Sequence, residues 1–364
     1  MSTYNRNTGR RWGRLASIVG AIVVVIAIVA GGGYLAYGEL TKDQAEEHYR
    51  IAVSLQSQGD LQKAIDEYTK VIEEDSGFTE AYGNRGVAYM ELGQYDEAVL
   101  DLSNAILQNP IIPLFYYNRG LAFERSGALD YALLDYLDAS DLDPLNRDAF
   151  YGLGTVYLKY GDYQRAVWNF DNAIRLEPEN PDAHFGRAEG YSGLERYDQA
   201  IVDYSEALRS NNQLPEAYTG RGTAYIEVGE LALAIVDFTA ALLSRPDSVS
   251  AHYHRARAYE RLGQFDQAVA DFARTISLDP AFAGGYHGRG MAYALSGQPE
   301  RSLPDLDEAI RLDQTYAPTY AARAIANTLL RRDDEAIMDV EKAVSLGYDP
   351  TQVDIDIEDI KAQR

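Results

Sequence analysis

The five histidines and the paired glycines are the first residues whose types suggest chemistry, because imidazoles bind metals or move protons and glycine-rich strings cradle phosphates. An enzyme needs an acid, a base or a nucleophile that converge, and this chain has no cysteine and few imidazoles to supply them. His252 and His254 stand two residues apart, about 200° around a helix, which does not suit a shared metal. Gly152-Leu153-Gly154, Gly220-Arg221-Gly222 and Gly288-Arg289-Gly290 lack the third glycine of a dinucleotide loop. No catalytic residue, metal site or cofactor is expected.

Charge offers a more regular chemistry. Arginine recurs at Arg85, Arg119, Arg187, Arg221, Arg255, Arg289 and Arg323, and aspartate at Asp101, Asp135, Asp203, Asp237, Asp271, Asp305 and Asp339. Where the arginine is missing, at Ile51 and Leu153, the aspartate is missing too, replaced by Glu67 and Asn169. A half-buried guanidinium needs a partner, so this coincidence predicts a structural Arg–Asp bond within each unit, with pairing to the preceding unit as the lesser alternative.

Both columns belong to a larger period. Small residues fall every 34 positions at Ala52, Gly86, Gly120, Gly154, Ala188, Gly222, Ala256, Gly290 and Ala324, so the chain is a tandem array. Units begin at Ala45, Thr79, Pro113, Arg147, Pro181, Pro215, Val249, Ala283 and Ala317, with no insertion between them. Large residues at positions 4 and 11 of the unit flank the small residue at 8, an i, i+4, i+7 helical stripe. His48, His184 and His252 take the packing place at position 4, which makes them core residues. Glycine at position 15 in seven units ends this helix, and a second stripe follows at 20, 24 and 27, as in Ala132, Tyr136 and Ala139. Proline at position 32, as at Pro110 and Pro144, closes the second helix. Each unit is a helical hairpin.

The pattern resembles the tetratricopeptide repeat (TPR) family, whose signature is a large residue at 4 and 11, small ones at 8, 20 and 27, an aromatic at 24 and proline at 32. The resemblance implies an all-α, right-handed α-solenoid of nine hairpins over residues 45–350. Departures sit near the ends. Pro304 stands inside a second helix that it should kink or delay, and Asn327 and Arg331 replace the expected Tyr and Gly. The tail 351–364 is acidic, and Val353, Ile357 and Ile360 could close the array as a capping helix.

In this family the first helices line a concave surface into which positions 2, 5, 9 and 12 point. The resemblance therefore places Tyr49, Tyr117, Tyr151, Phe185 and Tyr253 in a groove, with Leu121 and Leu158 extending its apolar floor. Glu46, Glu80, Asp148, Asp182 and Glu216 form its acidic rim. Such a surface suits a protein or peptide with apolar anchors beside Lys or Arg. The alternative is that the rings pack on neighbouring helices and only cover the core. The carboxylate clamp of some relatives has no match, since Asn84 and Asn118 stand without the lysines.

Residues 15–37 carry no charge and follow Arg6, Arg10, Arg11 and Arg14. As a helix they would span roughly 34 Å, enough for a bilayer core. They read as a single transmembrane signal-anchor helix, with residues 1–14 in the cytoplasm, a linker over 38–44 and the repeats on the exported side, in a bacterial cell envelope. A cleaved signal peptide is the rival, permitted by Gly31-Gly32-Gly33 and the alanines Ala30 and Ala36. The formal charge is −23, which disfavours nucleic acid as a partner. The reading that follows is a non-enzymatic, membrane-anchored scaffold that binds a peptide or protein in its groove for envelope complex assembly. Its rivals are a secreted, self-associating repeat protein and a substrate-presenting subunit of a separate enzyme.

Overall fold

The computed structural model describes residues 34–349, 351, 357 and 358. Among them are eighteen α-helices and no strand. The chain divides after Leu92 into two compact units.

The first unit contains α1 (Tyr34–Ser57), α2 (Leu61–Glu74) and α3 (Thr79–Glu91). Its core gathers Ala45, Ala52, Ala64, Tyr68, Val71 and Ala81, the small residues letting helices approach until the Tyr68 ring fills the space between them. Residues 15–33 of the proposed transmembrane segment lie outside the described residues, and 34–37 open α1. No helix among the described residues is long and apolar enough to cross a membrane. The stretch 38–44, read as a linker, is helical and runs into the first repeat unbroken, because no proline or turn cluster follows Gly38 to stop it.

The second unit runs from α4 (Tyr95–Gln108) to α18 (Asp333–Ser345). Three residues join the helices of each hairpin, and the middle one adopts a left-handed conformation. Gly161, with φ of 70°, lies within the turn that Asp162 N–H closes by donating to the Tyr157 carbonyl at 2.9 Å. Glu195 and Arg331 hold the same conformation without being glycine, at φ of 58° and 59°. The fold imposes this geometry, whatever residue is present.

Second helices supply the core rings. Tyr136, Phe170, Phe238 and Phe272 are fully buried, between alanines such as Ala132 and Ala139 or Ala166 and Ala173. Each ring is received on two sides. In α7 (Arg147–Lys159), a β-carbon on Gly152 would stand 2.6 Å from Tyr136 of the preceding repeat, and one on Gly154 would stand 2.8 Å from Phe170 of its own repeat. The Gly-x-Gly string is thus a gap through which one helix passes between two aromatic rings.

First helices of successive repeats in this unit touch one another, whereas successive second helices, among the described residues, do not. The stack therefore bends with its first helices on the inner side. The helix Pro299–Leu312 starts in the same register as its counterparts and contains Pro304 without interruption, so the delayed start expected there does not occur. Pro299 at its first position supplies a preset φ for that start. At the far end Ile357 is buried against Tyr320, Ala324 and Ala343, while Val353 and Ile360 lie outside the described residues.

Candidate functional site

Arginines and aspartates form a ladder along one flank of the second unit. Arg119 Nε and Nη2 each donate to Asp135 at 2.8 Å, a planar two-point clasp. The same clasp joins Arg187 to Asp203, Arg221 to Asp237, Arg255 to Asp271 and Arg289 to Asp305, at 2.7–2.8 Å. Arg323 Nη2 donates to Asp339 at 2.6 Å. Hydrogen bonding to Asp203 and Asp237 holds Arg187 and Arg221 above the ordinary guanidinium value. Arg85 and Asp101 share the second repeat, but Arg85 lies in the first compact unit and Asp101 in the second. Arg85 Nη1 donates to Thr69 at 2.9 Å, and Asp101 is buried.

Sequence reasoning missed the third nitrogen. Nη1 reaches back to position 25 of the preceding repeat, from Arg119 to Ser103, Arg221 to Ser205, Arg255 to Thr239, Arg187 to Asp171 and Arg323 to Asp307, so these five arginines each staple two hairpins, whereas Arg289 faces a repeat with Ala273 there. The signal was available as a column of Ser, Thr and Asp at that position. Histidines at position 4 join the same network. His252 Nδ1 lies 2.9 Å from Asp271 and its Nε2 lies 3.1 Å from the Pro246 carbonyl, and His184 is held likewise by Asp203 and Pro178. In the first unit His48 Nδ1 lies 2.5 Å from Glu67. Among the described residues no three His, Asp or Glu side chains gather as a metal-ligand set.

The predicted groove residues lie on the first helices. Tyr117, Tyr151, Phe185 and Tyr253 are half-buried. Each ring leans on the core ring of its own repeat, at centroid distances of 5.8 Å (Tyr136), 5.6 Å (Phe170), 5.8 Å (Tyr204) and 5.9 Å (Phe272). Tyr253 also meets Phe282 of its own repeat at 5.0 Å. In the first unit Tyr49 packs on Phe78 at 4.8 Å and accepts a hydrogen bond from Asn84 at 2.8 Å. Leu121 and Leu158 are half-buried beside this row.

Several rim carboxylates stand close to these phenols. Burial, then the charge of Asp148, pushes the Tyr117 phenol up, and Tyr151 is raised by burial and Asp182. Burial and Glu80 do the same to Tyr49. The rim is partly neutralised, since Asp148 accepts from Arg147 at 2.8 Å, Glu216 pairs with Arg245 at 2.6 Å and Glu46 lies 3.4 Å from Arg50. A further carboxyl on this face was not foreseen. Burial raises Glu260 to about 7 against the opposing charge of Arg257. Nearby, burial and then Arg257 lower His254 and His287 to about 4. Their burial depends on the next hairpin, which a single unit's sequence does not display.

Repeat profiles match along most of the array. The profile described as Tetratricopeptide repeat covers residues 151–215, 219–283 and 255–317, a second so described covers 48–77, and one described as TPR repeat covers 86–127. The chain belongs to the tetratricopeptide repeat family. Tetratricopeptide repeat proteins are generally scaffolds for protein interaction. An uncharacterised protein of Methanocaldococcus jannaschii is 34% identical over 55 residues, which are 15% of this chain and 64% of that relative's length. The crystal structure of a tetratricopeptide repeat protein from Parabacteroides merdae matches 68% of this chain and 97% of its own, at 25% identity and a TM-score of 0.52. Pseudomonas aeruginosa pilF matches 60% of this chain and 99% of its own at 16% identity and a TM-score of 0.54, which speaks to the tetratricopeptide fold alone.

Proposed function

We propose that this chain is a non-enzymatic scaffold whose first-helix face holds a peptide or protein segment with apolar anchors and neighbouring Lys or Arg. The observation that carries this reading is the row Tyr117, Tyr151 and Phe185, each ring braced by a core ring and each residue only half-buried. A ring braced in this way loses little side-chain freedom on binding, and its hydroxyl or edge can still accept a polar neighbour. Carboxylates beside the phenols favour a cationic segment. The uncharged stretch 15–37 after four arginines supports a membrane anchor with the repeats on the exported side, serving assembly of an envelope complex.

Replacing Tyr117, Tyr151 and Phe185 together by alanine is expected to abolish capture of partners crosslinked in native membranes, with helicity by circular dichroism retained. Undiminished capture by the triple variant rejects the groove. Alkaline extraction of those membranes checks the anchor, because an anchored chain stays in the pellet.

A further inference from the structure

The fourth repeat breaks the arginine ladder, and three positions change together. Leu153 stands where its neighbours have arginine, Asn169 where they have aspartate, and Leu137 where five of the six other junctions of the unit offer Ser, Thr or Asp and the sixth Ala273. A cleft of about 620 Å³ opens at this interruption. Its floor is Leu153 and Phe150, and its walls are Leu137, Pro144, Tyr157 and Trp168. Leu153 is 2% exposed, but Leu137 is 38% and Trp168 60% exposed, so the apolar lining continues out to the mouth.

Two polar features point to an occupant. Asn169 is 3% exposed and its Nδ2 donates to the Arg165 carbonyl at 2.8 Å, while its Oδ1 is buried without a hydrogen-bond partner. An acceptor left in this state costs free energy that an incoming N–H would recover. The cleft also includes Ser140 and Asp141, in the last turn of α6 (Leu129–Leu142). That helix carries Asp130, Asp135, Asp138 and Asp141 and no Lys or Arg, so its C-terminal end adds negative charge at the mouth. Arg165, the base among the lining residues, is turned to Asp162 at 3.4 Å and to the Tyr157 ring at 5.4 Å. Leu153 and Tyr151 are two residues apart on α7, about 200° around it, so this surface is separate from the first-helix row.

We propose that the cleft between the third and fourth repeats is a second docking site, which takes a basic peptide segment by inserting one bulky apolar side chain over Leu153 while a segment N–H donates to Asn169 Oδ1.

The test uses the full-length chain and two fluorescein-labelled peptide amides of equal charge, Lys-Arg-Leu-Arg-Lys and Lys-Arg-Gly-Arg-Lys. Fluorescence anisotropy is expected to give the leucine peptide about tenfold tighter binding, the effect of burying one leucine side chain. Leu153→Arg with Asn169→Asp restores the pair that six other repeats of the unit carry and fills the cleft without changing net charge. This variant should bind both peptides equally, and so should Trp168→Ala, which removes only an exposed wall and keeps the test valid if the double variant misfolds. The Tyr117, Tyr151 and Phe185 triple variant should keep the tenfold preference, which separates this site from the groove. Equal binding of the two peptides by the unaltered chain overturns the proposal. A preference that survives both cleft variants overturns it too. So does a dimer, measured by light scattering, that the double variant dissolves, because a second copy would then be the occupant.

Discussion

The backbone of Gly152 lies so close to the Tyr136 ring that a β-carbon there would stand 2.6 Å from Cζ. Tyr136 is fully buried and its hydroxyl donates to Glu124 at 2.8 Å, so the ring is held at both ends and has little room to yield. Gly152→Ala is therefore expected to cost about 1–3 kcal/mol, as overpacking generally does. A urea-denaturation midpoint that does not move would mean that the hairpins slide apart freely at this contact.

Removing one side of a buried clasp should cost more than removing both. Arg221→Ala leaves Asp237 buried with its charge uncompensated, at a cost of about 3–5 kcal/mol. Arg221→Met combined with Asp237→Leu should cost clearly less, because two matched apolar chains replace two matched charges. The check is a double-substitution cycle by chemical denaturation. Additive losses would show that the two side chains act independently.

Position 15 offers a gain. Glu195 and Arg331 adopt φ of 58° and 59° where seven counterparts are glycine at 70–87°. Glu195→Gly and Arg331→Gly should each stabilise the chain by about 1 kcal/mol, since a side chain in the left-handed region is penalised by roughly that amount. Each should raise the melting temperature, and a fall would place the compensation in contacts of the side chain itself.

Glu260 gives a pH dependence with a definite sign. Its carboxyl is raised from 4.5 to about 7 in the fold, so its contribution is complete below about 4.5 and is lost as the pH rises toward 7. His254 and His287, lowered from 6.5 to about 4, contribute fully above 6.5 and lose that contribution as the pH falls toward 4. Glu260→Gln should therefore gain on the unaltered chain between pH 4.5 and 7, levelling at about 1–3 kcal/mol. Parallel stability profiles across that range would refute the assignment.

What the sequence displayed best was whatever repeats within one unit. The hairpin, the small residues at 8 and 20 and the left-handed turn at 15 all depend on contacts inside 34 residues, so their signals recur in phase. Contacts between units were harder to read. The Nη1 bonds of Arg119 and Arg221 join different repeats, and the role of Gly152 is hidden in a single unit's sequence because the ring it admits belongs to the previous hairpin. The position-5 rings were placed on the first helices, but their support by Tyr136, Phe170, Tyr204 and Phe272 follows from how the hairpin closes, which periodicity alone does not give. The cleft at Leu153 was visible only as two missing residues, and the missing partner at Leu137 lies in the unit before.

Rings received by the hairpin that follows them make the modules directional. Gly186, Gly220 and Gly288 make room for Phe170, Tyr204 and Phe272 by lacking a side chain, whereas the seventh repeat presents His254, stacked at 5.9 Å on Phe238. Shuffling hairpins by recombination would thus be tolerated where a glycine leads and resisted ahead of His254, which gives this array an internal grammar of order and natural points at which it could lengthen.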